Sequence, residues 1–539
     1  MAEQANDDSN ATSYDAIVIG AGFGGMFMLH RLKQQGLRTL LLERGDDVGG
    51  TWYWNRYPGA RCDIQSMEYS YQFSEALQQE WEWSEKYATQ PEILRYARHV
   101  TERFDLRPHM RFGSHVKDAR FDESAGEWIV PVVDGPTYRA RYCVAATGCL
   151  SSANRPDIEG ADDFSGATYH TGHWPHEGAD FQGKRVAVIG TGSSAIQSIP
   201  LIAREAAHLT VLQRSPNFAV PAHNAPLDPD AVAAIKSDYA GYRASNNEMP
   251  FAAAFDNSEI NALDVPLDEV EAELEQRWRR GGLPFLGAFA DLLFVKEAND
   301  LAASFIRRKI RERVNNPEVA ELLCPESIVG CKRLCVDTEY FETYNRANVR
   351  LVDISNRGVE RIEARGVRVA DELIEVDAIV YATGFDAMTG SLLNINFTGR
   401  GGRTLSEKWA AGPRTYLGLG IEGFPNLFTV SGPGSPSVLT NMLPSIEQHV
   451  NWIADCIAYL EARGLRGIEA TGAAEDDWVA HVNEVADTSL YPGCSSWYLG
   501  ANVPGKPRVF MPYLGFPPYK EKCDEVAASD YEGFRLLSA

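Results

Sequence analysis

Two glycine-rich turns, repeated with the same spacing, constrain the fold of this 539-residue chain more than any other feature. They read GAGFGG at residues 20–25 and GTGSSA at residues 190–195. Each follows a short apolar run rich in β-branched residues and precedes a pattern typical of a helix. A further predicted strand ends at Glu43, 23 residues after the first turn begins, and another ends before Gln213, again 23 residues after its turn begins. We therefore predict an α/β protein with two Rossmann-like dinucleotide-binding domains.

The residues that close the two patterns predict different nucleotides. Glu43 can accept hydrogen bonds from both ribose hydroxyls, whereas Gln213 is neutral and is followed by Arg214 and Ser215. A carboxylate would repel a 2′-phosphate, but an amide beside a guanidinium accommodates it. We therefore expect NADP rather than NAD at the second turn. The alternative for the first turn is a glycine-rich loop in an ordinary α/β domain.

Three further segments carry residues suited to a cofactor site. Residues 49–63 combine glycines, aromatic side chains and arginines, which indicates the lining of a flavin ring, although a surface loop with aromatic anchors is the alternative. Lys332 and Arg333 place two adjacent cations at the start of a return to the second nucleotide domain, or else form surface salt bridges. Residues 432–437 precede a predicted helix and either seat a cofactor edge or form a simple loop.

Length and composition exclude several classes of function. A chain of 539 residues exceeds the size of one hydrophobic core, so we expect two or three domains. The net charge of −23 would repel nucleic acid and anionic lipid. There is no apolar run of about 20 residues, and the polar, acidic stretch at residues 1–13 lacks the pattern of a signal peptide, so we predict a cytoplasmic protein. The nine cysteines include no Cys-x-x-Cys pair and are predicted to be reduced and unligated.

Two longer motifs resemble those of a known family. The pattern Phe164-x-Gly166-x-x-x-His170-x-x-x-Trp174-Pro175 matches the fingerprint of the type I Baeyer–Villiger monooxygenases, and so does Gly50-x-Trp52-x-x-x-x-Tyr57-Pro58-Gly59-x-x-x-Asp63. The resemblance extends over nearly the whole chain. Residues 432–442 and 496–506 place it closest to the phenylacetone and steroid monooxygenase branch.

The resemblance implies tightly bound FAD, NADPH, and dioxygen as a co-substrate. A small-molecule ketone would become an ester or lactone through a C4a-peroxyflavin and a tetrahedral (Criegee) intermediate, with sulfides as a second class of substrate. Flavin binding carries over to Gly20, Gly22, Gly24, Gly25, Glu43, Thr51, Trp52, Tyr53, Trp54, Asp63, Tyr69, Val116 and Met442. NADP binding carries over to Arg61, Cys62, Asp63, Thr191, Gly192, Ser193, Ser194, Ala195, Ile196, Gln197, Arg214, Ser215, Lys332, Arg333 and Trp497.

By the same resemblance, Arg333 is the catalytic residue and Asp63 holds it in place. A guanidinium there would stabilise the developing oxyanion, and a carboxylate partner would orient it. His170 is implied to be structural, because the fingerprint lies in the connector between the nucleotide domains. His170, His173 and His176 recur every three residues, but they lack a companion cysteine or carboxylate cluster, so we predict no metal site.

The predicted domains are discontinuous. We expect an FAD-binding domain at residues 1–139 and 384–539 and an NADP-binding domain at residues 149–217 and 331–377. Residues 221–328 lack glycine turns and show apolar residues at helical spacing, as at 267–280 and 299–314, so they are predicted to be a helical insertion.

Three other functions compete with this interpretation. A flavin-containing monooxygenase that oxidises nitrogen or sulfur is the nearest alternative. It should lack the adjacent cations Lys332 and Arg333 and the complete motif that contains Trp52. A disulfide reductase should carry a redox cysteine pair where this chain has Trp52 and Trp54. An NADPH-sensing regulator would need no oxyanion stabiliser. The sequence leaves open an aryl, linear, cyclic or steroid ketone, and it predicts a monomer or a weak homodimer.

Overall fold

The structure is a computed structural model that describes residues 11–538; the first ten residues of the predicted polar N-terminal stretch lie outside this range. The strands are, in chain order, β1 (Thr12–Ile19), β2 (Thr39–Leu42), β3 (Met110–Arg111), β4 (Asp118–Asp122), β5 (Glu127–Pro131), β6 (Thr137–Ala145), β7 (Ala167–His170), β8 (Arg185–Ile189), β9 (His208–Gln213), β10 (Ala219–Pro221), β11 (Cys335–Asp337), β12 (Val349–Asp353), β13 (Arg361–Glu363), β14 (Gly366–Val369), β15 (Glu372–Glu375), β16 (Ala378–Tyr381), β17 (Asn396–Thr398), β18 (Leu427–Thr429), β19 (Gly467–Ala470) and β20 (Phe534–Leu537). The α-helices are α1 (Phe23–Gln34), α2 (Thr51–Trp54), α3 (Glu75–Glu80), α4 (Gln90–Arg103), α5 (Ser193–Glu205), α6 (Pro229–Ser237), α7 (Tyr239–Asn247), α8 (Leu267–Arg280), α9 (Lys296–Arg313), α10 (Pro317–Leu323), α11 (Tyr340–Thr343), α12 (Gly390–Leu393), α13 (Leu405–Lys408), α14 (Met442–Ala462), α15 (Gly472–Asp487) and α16 (Phe516–Ala528).

The first glycine turn follows β1, which belongs to a large mixed sheet with the strand order β17-β4-β5-β6-β1-β2-β3. β1, β2, β3 and the second half of β6 run parallel, and residues 16–19, 39–42 and 142–145 of this sheet are all buried, as expected where a sheet is covered on both faces. β18 also pairs with β6, in parallel. Because β17 and β18 come from residues 396–398 and 427–429, the chain returns to this sheet after a long excursion.

The second glycine turn follows β8, which belongs to a five-stranded, entirely parallel sheet with the order β12-β9-β8-β16-β7. Its edge strand β7 contains His170 of the fingerprint, so that motif is partly a strand of this sheet as well as a connector. A three-stranded antiparallel sheet, β13-β14-β15, precedes β16. The chain therefore crosses between the two large sheets twice, after β6 and after β16.

Helices α6 to α10 lie between β10 and β11, which pair in parallel and close this segment at its base. The predicted helix at 267–280 matches α8, whereas the one predicted at 299–314 begins three residues earlier, as α9. Arg313 at the end of α9 forms an ion pair of 2.9 Å with the buried carboxylate of Asp337 in β11. This pair fastens the helices to the segment that carries Lys332 and Arg333.

The prediction that all nine cysteines are reduced thiols was wrong for two of them. Cys331 and Cys494 form a disulfide, with Cα atoms 5.6 Å apart across 163 residues of sequence. The two cysteines lie in distant segments of the chain. A search for closely spaced cysteines therefore could not detect this disulfide. The other seven cysteines are free and buried. Within the described residues, no helix combines the length and the apolar character needed to cross a membrane.

Candidate active site

A cavity of about 1610 Å³ lies where the carboxyl ends of the parallel strands in both large sheets meet. Ile19 and Leu42 line it from the first sheet, and Ile189 and Leu212 line it from the second. The crossing segments that follow β6 and β16 contribute Thr147 and Thr383, among others. A pocket for one small ligand is about 300–1,000 Å³. The cavity therefore has room for two dinucleotides at the usual edge of an α/β sheet.

The first glycine turn is shaped for a phosphate and a ribose. Gly20 has φ +106°, and a Cβ there would overlap the carbonyl oxygen of Ala146. At Gly22, which caps α1, the nearest atom to an added Cβ is the Cα of Gly50 at 3.6 Å, so the helix N-terminus is open to the cavity. The buried Glu43 accepts the backbone N–H groups of Ala21 and Gly45, each at 2.7 Å. Each carboxylate oxygen keeps a lone pair for a hydroxyl donor.

The second glycine turn presents an open, positively charged face. Gly190 has φ +115°, and a Cβ added at Gly192 would meet no atom within 4 Å. The Nζ of Lys332 donates to the hydroxyl of Ser215 at 3.2 Å, and Arg214 also lines the cavity. Burial lowers the pKa of Lys332, and the charge of Arg214 lowers it further. In the part of the chain described, neither cation has a carboxylate partner, an arrangement that suits a phosphate dianion.

The Asp63–Arg333 pair is the strongest candidate for catalysis. The Nε of Arg333 contacts one carboxylate oxygen of Asp63 at 2.5 Å and Nη2 contacts the other at 3.0 Å, while Nη1 donates to the carbonyl oxygen of Val438 at 2.7 Å. Burial works against the charge, but Asp63 outweighs it, and the pKa of Arg333 is raised. Three of the five guanidinium N–H groups are thus engaged. The other two can donate to an oxyanion in the cavity.

Most of the predicted cofactor residues line this cavity, but four do not. Gly25 packs inside the first turn, where a Cβ would overlap the carbonyl oxygen of Gly20. Tyr53 faces away and accepts the backbone N–H of Asp46 at 3.0 Å. Ala195 and Ile196 lie on the buried face of α5 and are at most 1% exposed. The predicted residues that do line the cavity are Gly20, Gly22, Gly24, Glu43, Thr51, Trp52, Trp54, Arg61, Cys62, Asp63, Tyr69, Val116, Thr191, Gly192, Ser193, Ser194, Gln197, Arg214, Ser215, Lys332, Arg333, Met442 and Trp497.

The fingerprint residues Phe164, Gly166, His170, Trp174 and Pro175 lie outside the cavity wall. The Nδ1 of His170 accepts the backbone N–H of Gly172 at 2.9 Å, and Nε2 lies 3.3 Å from both the carbonyl oxygen of Asn154 and the hydroxyl of Thr383. Burial lowers the pKa of His170, which favours the neutral ring. Because Asn154 and Thr383 belong to the two crossing segments, His170 joins both crossings between the sheets.

Several residues of the site were missed by the sequence. The carbonyl oxygen of Val438, which holds Arg333, lies just beyond segment 432–437, for which the sequence predicts either a seat for a cofactor edge or a simple loop. Segments 154–158 and 353–355 also line the cavity. The second could have been found, because it begins at the carboxyl end of a parallel strand. Within residues 11–538, no three His, Cys, Asp or Glu side chains are grouped to hold a metal ion.

Comparison with known proteins decides the family. A family model described as pyridine nucleotide-disulphide oxidoreductase matches residues 17–265. The Baeyer–Villiger monooxygenase of Pseudooceanicola batsensis is 40% identical over 537 residues, which are 99% of this chain and 97% of that protein. This chain belongs to the Baeyer–Villiger monooxygenase family. The predicted resemblance is therefore confirmed.

Solved structures agree with the predicted fold class of this Baeyer–Villiger monooxygenase. A structure of oxidized steroid monooxygenase bound to NADP is 51% identical, with a TM-score of 0.93, and the match covers 98% of this chain and 100% of that one. A structure of OTEMO in complex with FAD and NADP is 38% identical, with a TM-score of 0.93 and the same coverage. The α/β fold with two Rossmann-like units is confirmed.

One relative carries the name of a different oxidation. The phenazine N-monooxygenase PhzNO1 of Lysobacter antibioticus is 39% identical over 536 residues, which are 98% of each protein. A disulfide reductase is not supported by the site itself, because the loop after the first turn of this Baeyer–Villiger monooxygenase carries Trp52 and Trp54 rather than a cysteine pair. The nearest alternative thus remains oxidation of nitrogen or sulfur.

Proposed function

We propose that this chain is an NADPH- and dioxygen-dependent Baeyer–Villiger monooxygenase that converts a small-molecule ketone to an ester or lactone. The observation that carries the proposal is the Asp63–Arg333 pair, which faces a cavity bounded by both glycine turns. A nucleotide-binding regulator would gain nothing from two free guanidinium N–H groups at that point. An enzyme that must stabilise a carbonyl oxyanion requires such a donor.

The cofactors are FAD at the first turn and NADP(H) at the second. Glu43 would hold the ribose of FAD, the N-terminus of α1 would bind its pyrophosphate, and Tyr69, Val116 and Met442 would contribute to its site. Arg214, Ser215 and Lys332 would hold the 2′-phosphate of NADP(H). When bound, FAD receives the electrons of NADPH and activates dioxygen.

Within this cavity Arg333 acts on the substrate. Its two free N–H groups donate to the ketone oxygen as negative charge develops there, and the permanent positive charge stabilises that oxygen without a proton transfer. Asp63 fixes the plane of the guanidinium through two contacts, and the carbonyl of Val438 fixes its third corner. Trp497 lines the same cavity, and its ring packs against that of the buried Tyr498.

Oxidation of nitrogen is the second candidate, favoured by the relative named as a phenazine N-monooxygenase. Transfer of oxygen to an amine or sulfide nucleophile creates no carbonyl oxyanion. It should therefore depend far less on Arg333 than ester formation does. That difference separates the two candidates experimentally.

We also propose the predicted division into FAD-binding parts (1–139 and 384–539), NADP-binding parts (149–217 and 331–377) and a helical insertion (221–328). Sharing of one sheet by β1–β6, β17 and β18 supports the first unit, and sharing of another by β7–β9, β12 and β16 supports the second. β6 continues to residue 145 and β16 lies at 378–381, so the first unit would extend beyond 139 and the second slightly beyond 377. A cytoplasmic location and a monomer or weak homodimer remain predictions from the sequence.

Product analysis tests this function. The purified protein is given NADPH, labelled dioxygen and a panel of aryl, cyclic, long-chain and bulky ketones. One labelled oxygen atom in an ester or lactone is the expected result. Formation of hydrogen peroxide alone with every ketone, together with oxidation of amines or sulfides, would instead support the second candidate.

A variant pair assigns the role of Arg333. Arg333→Ala should keep its flavin and some NADPH oxidation but form no ester. The matched control is Arg185→Ala, which removes an exposed arginine that also forms a two-point ion pair with an aspartate. Ester production by Arg333→Ala at the parental rate would refute the assignment.

A further inference from the structure

Helix α5 contacts both segments that carry the Asp63–Arg333 pair. Ser193 and Gln197 are four residues apart, so they lie on the same face of this helix. The Oγ of Ser193 lies 3.3 Å from the Sγ of Cys335, two residues after Arg333. Gln197 binds the segment that ends at Asp63. One helix face thus supports each half of the pair from behind.

The amide of Gln197 is almost fully occupied by that segment. Its Oε1 accepts the hydroxyl of Tyr57 at 2.8 Å and the backbone N–H of Arg61 at 3.4 Å, and its Nε2 donates to the carbonyl oxygen of Arg61 at 3.1 Å. Both lone pairs of the oxygen and one N–H are used. Little capacity is left for a nucleotide, although the sequence had predicted Gln197 as an NADP contact.

Close approach of the backbones shows that this contact is built into the motif. Gly59 has φ +82°, and a Cβ there would overlap the carbonyl oxygen of Gln197 and lie 3.2 Å from the side chain of Leu201. No other residue type fits both constraints. The same segment is also bound to the residues that precede α4, because the backbone N–H of Cys62 donates to the carbonyl oxygen of Ala88 at 3.1 Å.

We propose that Gln197 is a positioning residue for Arg333, which acts by fixing Arg61 and therefore the Asp63 carboxylate two residues later. This inference rests on the proposed function, since it assumes that Arg333 stabilises a substrate oxyanion. Ser193 and Gln197, here called the α5 clamp, set the distance between the carboxylate and the guanidinium. The pair keeps its two-point geometry because both of its segments are fixed to one rigid helix.

The test compares Gln197→Leu with Gln182→Leu, which makes the same chemical change at an exposed glutamine outside the cavity. Gln197→Leu should lower the rate of ester formation by about tenfold, since hydrogen bonds to Tyr57 and Arg61 are lost. The share of NADPH that ends in hydrogen peroxide should rise. The dissociation constant for NADP⁺ should change by less than about threefold, and the control should match the parent in every respect.

Hydrogen exchange gives a second reading that is independent of turnover. Amide exchange in residues 57–63 should be faster in Gln197→Leu than in the parent or in Gln182→Leu, because the Arg61 N–H loses its acceptor. Tyr57→Phe removes a single hydroxyl and should lower ester formation by a smaller factor. Combined with Gln197→Leu it should add almost nothing, since the two residues share one interaction.

Two results would overturn the proposal. A tenfold or greater loss of NADP⁺ affinity with an unchanged ester-to-NADPH ratio would make Gln197 a nucleotide contact. Unchanged exchange in residues 57–63 would show that Gln197 does not hold that segment. If the parent forms no ester with any ketone, the proposed function fails, but the exchange measurement still decides whether the α5 clamp exists.

Discussion

Replacement of Asp63 by asparagine tests how Arg333 is held. The substitution Asp63→Asn keeps the shape of the side chain but removes its charge. In the parent, one carboxylate oxygen lies 2.5 Å from Nε of Arg333 and the other 3.0 Å from Nη2. An asparagine can accept only one of these N–H groups, and its own amide N–H₂ would then face the other donor.

The expected cost follows from those two contacts. A hydrogen bond to a charged group contributes about 1.5–3 kcal/mol. The two side chains are 22% and 23% exposed towards the cavity, so solvent weakens the pair and the lower part of the range applies. One contact is lost and the other becomes neutral. Together these changes cost about 2 kcal/mol of transition-state stabilisation. That corresponds to a fall in ester formation of about 30-fold.

The assay measures ester, hydrogen peroxide and NADPH consumption at saturating NADPH. Asp63→Asn should reduce the ester-forming rate while NADPH oxidation falls much less, so that peroxide takes a larger share. The control is Asp377→Asn, which breaks a two-point pair with Arg185 at the surface and should leave all three quantities unchanged. Parental ester formation by Asp63→Asn, or an equal loss in flavin reduction and ester formation, would refute the orienting role.

Three further substitutions test other parts of the structure. Lys332→Ala should raise the KM for NADPH about tenfold or more with little change in kcat. Steady-state kinetics should show no such rise in the KM for NADH. An equal rise in both KM values would contradict a contact between Lys332 and the 2′-phosphate. Burial raises the pKa of Glu447 from 4.5 to about 7, so the folded state keeps a proton that the unfolded chain releases, and stability falls by about 3 kcal/mol as the pH rises from 4.5 to 7. Glu447→Gln should therefore leave the thermal midpoint nearly unchanged at pH 5 and raise it at pH 8, whereas an equal shift at both pH values would exclude this cause. Gly25→Ala should abolish flavin absorbance in the purified protein, because its Cβ overlaps the carbonyl oxygen of Gly20, while Gly472→Ala, with open space around its Cα, should retain it.

Local pattern was sufficient for the nucleotide-binding units. The glycine turns, the strands entering them and the acid at Glu43 all depend on residues within about 25 positions of one another, and the structure places them as predicted. Helix α8 matches its predicted bounds because its apolar residues recur at helical spacing between clear ends. The face of a helix within the folded chain was harder to predict. Ala195 ends the second turn and Ile196 follows it directly, yet both side chains are buried in the core.

The remaining features depend on contacts between distant segments. Asp63 and Arg333 are 270 residues apart, and the carbonyl of Val438 that completes the site is another 105 residues away. The Cys331–Cys494 disulfide spans 163 residues. No periodicity or spacing in the sequence encodes such pairs. The family resemblance identified Asp63 and Arg333, but only the structure gives the contacts of Gln197 with Tyr57 and Arg61.

The position of the Asp63–Arg333 pair makes it dependent on the assembly of the two sheets. Asp63 belongs to the segment that follows the first glycine turn, whereas Arg333 precedes β11 and is supported from α5, the helix that follows the second. A shift of one sheet against the other would therefore pull the carboxylate from the guanidinium. Because Gln197 binds Arg61 and Ser193 contacts Cys335, α5 resists that shift next to the Asp63–Arg333 pair. The oxyanion donor is consequently complete only when both nucleotide-binding turns face the same cavity, and this couples the chemistry to the presence of both halves of the fold.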